Sequence, residues 1–285
     1  AAWFDPDVAA VLDTCVMCKG CRTECPSGVD MARLKTEWLQ QRHLRRRPDA
    51  RTLLFAGFAT LARRARLAPR WFSLIANQPL LKRWLRIARE RDIPAWAAVS
   101  FAEGWRRRKE HPEGPRGPVV LFCDEFTDYV EPQVGWAAVA VLEALGWSVV
   151  AVTGLESARS LISKGFLRAA RRRLDRAVAE LDRWAAHGIS IVGLEPSALL
   201  TFVDEAPDLV SPRGQAAALR VRAACRLFDD FVAEHGGEPA GREWRPLPVA
   251  HVLVHPHCHQ RALVGSAGTR RALSLIPGLR VTELA

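Results

Sequence analysis

Four cysteines fall within eleven residues in the order Cys15-x2-Cys18-x2-Cys21-x3-Cys25, and Pro26 follows the last of them. A segment that crowds four thiols together has few uses other than cradling a metal. Two consecutive x2 spacings let one loop wrap three corners of a cubane, and the proline turns the chain away after the fourth ligand. The spacing therefore predicts a [4Fe–4S] cluster on Cys15, Cys18, Cys21 and Cys25. Zinc, the competing soft-ligand metal, favours C-x2-C pairs set farther apart. In two-cluster ferredoxins the fourth cysteine serves the other cluster. No second complete motif exists here, so either Cys25 closes a single cluster or the other half lies upstream of Ala1. Lys19 and Arg22 sit among the ligands, where cations raise the potential of an anionic cluster unless they turn to solvent.

The other three cysteines are scattered, at 123, 225 and 258. In a chain of 285 residues this usage argues for a metal site in a reducing, cytoplasmic compartment and against a disulfide scaffold. With 49% hydrophobic residues the chain can bury one large core or two smaller ones. No apolar run reaches the length of a membrane span. The chain opens on Ala, with no signal peptide, and is expected to be a piece of a longer polypeptide. The net charge of +10 is concentrated in the first 110 residues and at Arg171, Arg172 and Arg173. Such a field favours nucleic acid, acidic lipid or an acidic redox protein, although solvated helix faces carry similar clusters. No Ser/His/Asp order, phosphate loop or G-x-G-x-x-G appears, so nothing reads as a nucleotide or flavin site.

Beyond the cysteine run, Val29–Leu39 has helical spacing with Asp30 as N-cap. Residues 50–110 read as helical throughout, interrupted by Pro69, Pro79 and Pro94, and are both basic and rich in Trp. Residues 111–118 hold three prolines and two glycines and read as a linker. The texture then changes. Val119–Phe122, Ser148–Val152 and Ile189–Leu194 read as strands, with helices over Gln133–Leu145 and about 166–186. Strands alternating with helices imply a parallel sheet covered on its faces. The chain is thus expected to be α/β overall: a helical ferredoxin-type domain over 1–110, a linker over 111–118, one α/β repeat over 119–212 and a partial second over 213–285. The repeat has an offset of 132 residues: Val120-Leu121-Phe122 matches Val252-Leu253-Val254, Gly146 matches Gly278, and Val149 matches Val281.

A second motif, His255-Pro256-His257-Cys258-His259-Gln260, follows the later strand. Ligands gather at that edge of a parallel sheet, and Cys258 with His257 or His259 offers soft donors for zinc, copper or iron. A surface histidine cluster is the alternative. Cys123 and Cys225 read as small core residues, the latter within an apolar helical pattern.

The segment C-V-M-C-K-G-C-R-T-E-C-P-S-G-V-D-M-A-R-L-K resembles the iron–sulfur region of FAD-linked oxidases of the D-2-hydroxyacid dehydrogenase type, similar to D-lactate, glycolate and D-2-hydroxyglutarate dehydrogenases. The stretches 119–132, 161–167, 193–202 and 255–265 resemble the cysteine-rich CCG domains shared with heterodisulfide reductase and an anaerobic glycerol-3-phosphate dehydrogenase iron–sulfur subunit. Two departures stand out. Where the family has Cys-Cys-Gly before L-I-S-K-G, this chain has Glu156-Ser157-Ala158, and where a cysteine follows E-P-S it has Ala198. The first CCG copy is therefore not expected to bind a cluster. In the second copy Cys258 matches the first family cysteine, and its Cys-Cys-Gly would lie just past Ala285.

The resemblance implies the iron–sulfur part of a flavin-dependent oxidoreductase that oxidises a D-2-hydroxyacid, not catalytic by itself. FAD would sit on a domain before Ala1 or on a partner subunit, and clusters would relay electrons to a quinone or an acceptor protein. The basic, Trp-rich region suits peripheral contact with the inner face of a membrane. The competing expectation is a non-catalytic iron–sulfur or zinc module associated with nucleic acid, which the lack of a groove-reading motif disfavours.

Overall fold

The computed structural model describes residues 4–237 and 243–284. The protein is mixed α/β, mostly helical, with two small parallel sheets. The helices of the N-terminal part are α1 (Pro6–Thr14), α2 (Gly20–Glu24), α3 (Met31–His43), α4 (Ala50–Ala56), α5 (Phe58–Ala65), α6 (Pro69–Ala76), α7 (Pro79–Trp84) and α8 (Phe101–Arg107). Asp30 caps α3 as its position suggests, accepting from the Arg33 amide at 2.9 Å. Pro69 and Pro79 do not interrupt one long helix; each occupies a first turn, where the missing N–H costs nothing, and opens α6 or α7. After α7 the chain is largely non-helical up to α8.

The α/β part begins with β1 (Pro118–Phe122), then α9 (Glu125–Tyr129), α10 (Pro132–Ala144), β2 (Ser148–Val152), α11 (Arg159–Ser163), α12 (Leu167–Ala185), β3 (Ile191–Gly193), α13 (Pro196–Asp204) and α14 (Ala206–Leu209). It continues through α15 (Gln215–Ala224), β4 (Cys225–Leu227), α16 (Phe228–His235), β5 (His251–Val254), α17 (Cys258–Leu263), α18 (Ala267–Ser274) and β6 (Arg280–Glu283). The first sheet has the order β2-β1-β3-β4 with every pairing parallel. The second pairs β5 with β6, also parallel.

Residues Val119, Val120, Leu121 and Phe122 have no exposed surface at all. Their period-two alternation divides them between two cores. Val120 and Phe122 meet Leu174, Leu181 and Phe202 on one face, while Val119 and Leu121 meet Phe101, Leu142 and Phe231 on the other. A strand covered on both faces reads as an unbroken apolar run, as this one does. Cys225 is buried, as its apolar neighbours suggest, but it lies in strand β4 rather than a helix. Its register partner is Ile191, and pairing to β3 overrides the local helical pattern.

The β–helix–β order recurs at the expected offset. Gly146 and Gly278 stand in the turns before β2 and β6, with φ of 86° and 72°, a conformation a side chain resists. Val119 pairs with Val149 in the first unit, whereas Val252 pairs with Val281 in the second, a shift of one residue.

Part of the join between the cysteine-bearing part and the α/β part lies where α3 meets the turn after α11. At Gly165, φ 73°, an added Cβ would come within 2.3 Å of Leu39, so the turn after α11 sits directly on α3. Beside it, the His43 ring stacks on Phe166 at 4.8 Å and its Nε2 donates to the Lys164 carbonyl at 2.8 Å. Among the described residues no helix is long and apolar enough to cross a membrane.

Candidate metal centre

The cysteine run occupies the loop from the end of α1 through α2 to the start of α3. Met17 and Lys19 both take left-handed backbone angles, φ 61° and 64°, which L-residues avoid. Each lies inside one x2 spacing, so the chain reverses between successive thiols instead of running on as a helix. Non-glycine strain of this kind collects where a site dictates the backbone.

Backbone amides also address the sulfurs. The Met31 N–H donates to Cys21 Sγ at 3.3 Å. The amides of Ser27 and Val29 lower the Cys25 pKa from the ordinary thiol value, with a smaller opposing effect of burial. Amides directed at sulfur favour the thiolate, the form in which cysteine binds a metal. Cys15, Cys18, Cys21 and Cys25 are all free and half-buried. Their donor chemistry and loop suit a cluster. Among the described residues, however, no three His, Cys, Asp or Glu side chains gather closely enough to hold a metal ion.

Lys19 does not turn to solvent. It is 2% exposed, and its ammonium donates to both Asp204 and Glu205 at the end of α13. Arg22 and Arg33 join Asp204, the latter at 2.9 Å, and Arg159 joins Glu205. Burial pushes the Asp204 carboxyl up, but the hydrogen bond and charge of Lys19, with Arg33 and Arg22, outweigh it and hold it down at about 2. The centre of the cysteine loop is thus plugged into the first α/β repeat by a buried ion-pair network. The sequence hint was the acidic pair Asp204-Glu205 ending the apolar run Ala198–Val203.

The second motif approaches the same loop from the other side. His259 is buried, and its Nε2 donates to the Met17 carbonyl at 2.9 Å. Burial lowers its pKa, partly opposed by that carbonyl. His257 caps α17: its Nδ1 accepts from the His259 amide at 3.2 Å, and its Nε2 lies 3.7 Å from Glu195. Cys258 is exposed and near enough to Cys18 for that group's charge, after burial, to raise its pKa. The fold therefore brings Cys258 beside the cysteine run, while both histidine rings are engaged in capping and docking.

In the first repeat, the positions where the resemblance would place thiols hold other side chains. Glu156 pairs with Arg63 at 2.8 Å and Arg173 at 3.3 Å. Ser157 Oγ donates to the Glu125 carboxylate at 2.7 Å. Ala198 is buried in the core, and Ala158 stands in a left-handed conformation, φ 59°. Burial, and then the charge of Asp124, push the Glu125 carboxyl up to about 7. Burial raises the Cys123 and Cys225 thiols, the latter to about 12, so both behave as core residues.

Comparison with known proteins gives two groups of relatives. The chain is 26% identical over 217 residues to the D-2-hydroxyglutarate dehydrogenase of Escherichia coli (strain K12), covering 71% of this chain and 21% of that one. It is 23% identical over 219 residues to the D-2-hydroxyglutarate dehydrogenase of Haemophilus influenzae, with the same coverage. It is 25% identical over 214 residues to a subunit of the anaerobic glycerol-3-phosphate dehydrogenase of Escherichia coli (strain K12), covering 74% of this chain and 53% of that polypeptide. The chain thus spans about a fifth of the first kind of relative and about half of the second. No protein-family model and no solved structure matches it. The chain is a homologue of dehydrogenase polypeptides, in keeping with the resemblance its motifs carry.

Proposed function

We propose that this chain is the electron-relay part of a flavin-linked oxidoreductase acting on a D-2-hydroxyacid, with Cys15, Cys18, Cys21 and Cys25 as ligands of a [4Fe–4S] cluster. The observation that carries the reading is the loop itself: two left-handed residues inside the C-x2-C-x2-C spacing, with backbone amides directed at Cys21 and Cys25. The homology to dehydrogenase polypeptides supports the reaction class. When bound, the cluster would supply one-electron transfer. In this reading residues 1–110 carry the cluster, and residues 119–285 form the platform that holds it.

The chain's own residues position the loop. Lys19 fixes it to the first repeat and His259 to the second. Because Asp204 and Glu205 neutralise Lys19, its charge contributes less to the cluster's potential than its place in the sequence suggests. Cys258 is a fifth thiol at the edge of the loop, available to a partner group. FAD would belong to a further domain or a partner subunit, and a quinone or an acceptor protein would take the electrons. The chain would work in the cytoplasm, at the inner face of a membrane.

The test is anaerobic purification followed by iron, acid-labile sulfide and zinc analysis, with an EPR spectrum after dithionite. About four iron and four sulfide per chain with a reduced-cubane signal are expected. Cys21→Ala should abolish the signal. Stoichiometric zinc, or no metal after reconstitution with iron and sulfide, would refute the assignment.

A further inference from the structure

Helices α6 and α7 are amphipathic in the wrong direction for a protein surface facing water alone. On α6, Trp71, Leu74 and Ile75 lie at helical spacing on one face and are exposed, Trp71 at 69%. The opposite face is the one held down. Ser73 Oγ accepts from the Trp96 amide at 3.1 Å, Asn77 bonds the backbone of Ile93 in both directions, and Phe72 meets the Trp96 ring edge-on at 6.4 Å. On α7, Leu80 and Trp84, four residues apart, are 82% and 66% exposed, while Leu85 and Lys82 are buried beneath them. Leu67, just before α6, is also exposed, and α6 packs on α7. Isolated apolar side chains on a surface need no explanation, but a patch of two Trp and four aliphatic residues does.

The charge around this patch specifies its partner. Between Asp49 and Glu90 the chain has nine Arg or Lys residues and no acidic one. Arg64, Arg66, Arg70 and Arg83 are exposed, and among the described residues they make no ion pair. Exposed Trp and Leu interleaved in sequence with arginines that make no ion pair among the described residues match a bilayer interface with anionic headgroups: the apolar side chains enter the acyl boundary, and the guanidinium groups meet phosphate. A nucleic-acid site would instead need a basic groove with aromatic rings available to stack, whereas Trp71 and Trp84 stand exposed among Leu74, Ile75 and Leu80.

We infer that the face formed by α6 and α7 is a lipid-binding surface that lays this chain on an anionic bilayer. The inference rests on the relay reading only for its compartment; the surface is argued from exposure and charge. It would hold the cluster-bearing part close to a membrane-soluble acceptor without any spanning helix.

The test is co-sedimentation of the full chain with vesicles of equal parts phosphatidylglycerol and phosphatidylcholine, and with phosphatidylcholine alone, at low and high salt. Binding is expected to the anionic vesicles at low salt only, with Trp emission quenched by brominated acyl chains. Trp71→Ser with Trp84→Ser should weaken binding roughly tenfold or more, since each ring loses its apolar burial. Arg70→Glu and Arg83→Glu should each weaken it roughly fivefold or more. These side chains are exposed, so circular dichroism and metal content should stay unchanged. Equal partition to both vesicle types, full binding by the double Trp variant, or tighter binding to duplex DNA than to the vesicles would each overturn the proposal. Metal analysis of the same samples separates the two readings. A metal-free chain that binds vesicles breaks only the relay, and a cluster-loaded chain that ignores them breaks only the surface.

Discussion

Strands β1 and β5 open the two repeats with nearly the same apolar run, and they come to rest in opposite environments. β1 has a strand on each side and helices over both faces, and Leu121 has no exposed surface. β5 pairs with β6 alone among the described residues, and Leu253, which corresponds to Leu121, is 62% exposed. The chemistry is divided the other way. In the first repeat Glu156, Ser157 and Ala198 are used up by ion pairs, hydrogen bonds and packing. The second presents Cys258, exposed, beside the cysteine loop. Nearly the same apolar run can thus end in a covered four-stranded sheet or in an open pair, according to what folds against it.

Core truncation should separate the two most sharply. Leu121→Ala should cost about 2–5 kcal/mol in urea unfolding, because it leaves a cavity in the core shared with Phe101, Leu142 and Phe231. Leu253→Ala should stay within about 1 kcal/mol, as a half-exposed side chain has less to lose. Equal losses would mean that Leu253 is covered in solution, and the contrast would fail.

Glu125, in the first repeat, offers a pH test. Below the ordinary carboxyl value of 4.5, Glu125 is protonated in both folded and unfolded chains and adds no pH dependence. From there to its folded value of about 7, only the unfolded chain ionises, so stability falls as pH rises and then levels off. Glu125→Gln should abolish that fall, leaving the variant about 3 kcal/mol ahead at about pH 8 and level with the parent near pH 4.5. Parallel stability curves for the two proteins would mean that the carboxyl is not held neutral.

The smallest effect concerns Ala158, where the family's Cys-Cys-Gly places glycine. Its φ of 59° keeps the glycine conformation without the glycine. Ala158→Gly should relieve about 1–2 kcal/mol of left-handed strain and give back part of it as unfolded-chain entropy, a net gain of about 0.5–1 kcal/mol. A loss on thermal unfolding would mean that the backbone there is not strained.

Much of this was legible before the fold was seen. The strands at Val119–Phe122 and Ser148–Val152, the helix α12, the Asp30 cap and the 132-residue offset all come from local periodicity or capping chemistry. Such signals need only neighbours along the chain. The cysteine spacing is equally local, and the loop that carries it is seen between α1 and α3. Cys225 shows where this stops: its neighbours have helical spacing, and pairing with Ile191, far away in sequence, makes it a strand.

What the sequence by itself determined, then, is the cysteine cradle, the parallel α/β repeat and the basic, Trp-rich character of residues 60–110. Only the tertiary structure decided that Lys19 is a buried anchor, that His259 reaches Met17, and that Trp71 and Trp84 face outward. Lys19 and Asp204 are 185 residues apart, and no periodicity relates them. Whether a charge meets water or a carboxylate, and whether an apolar face is covered, depends on which distant surface folds against it.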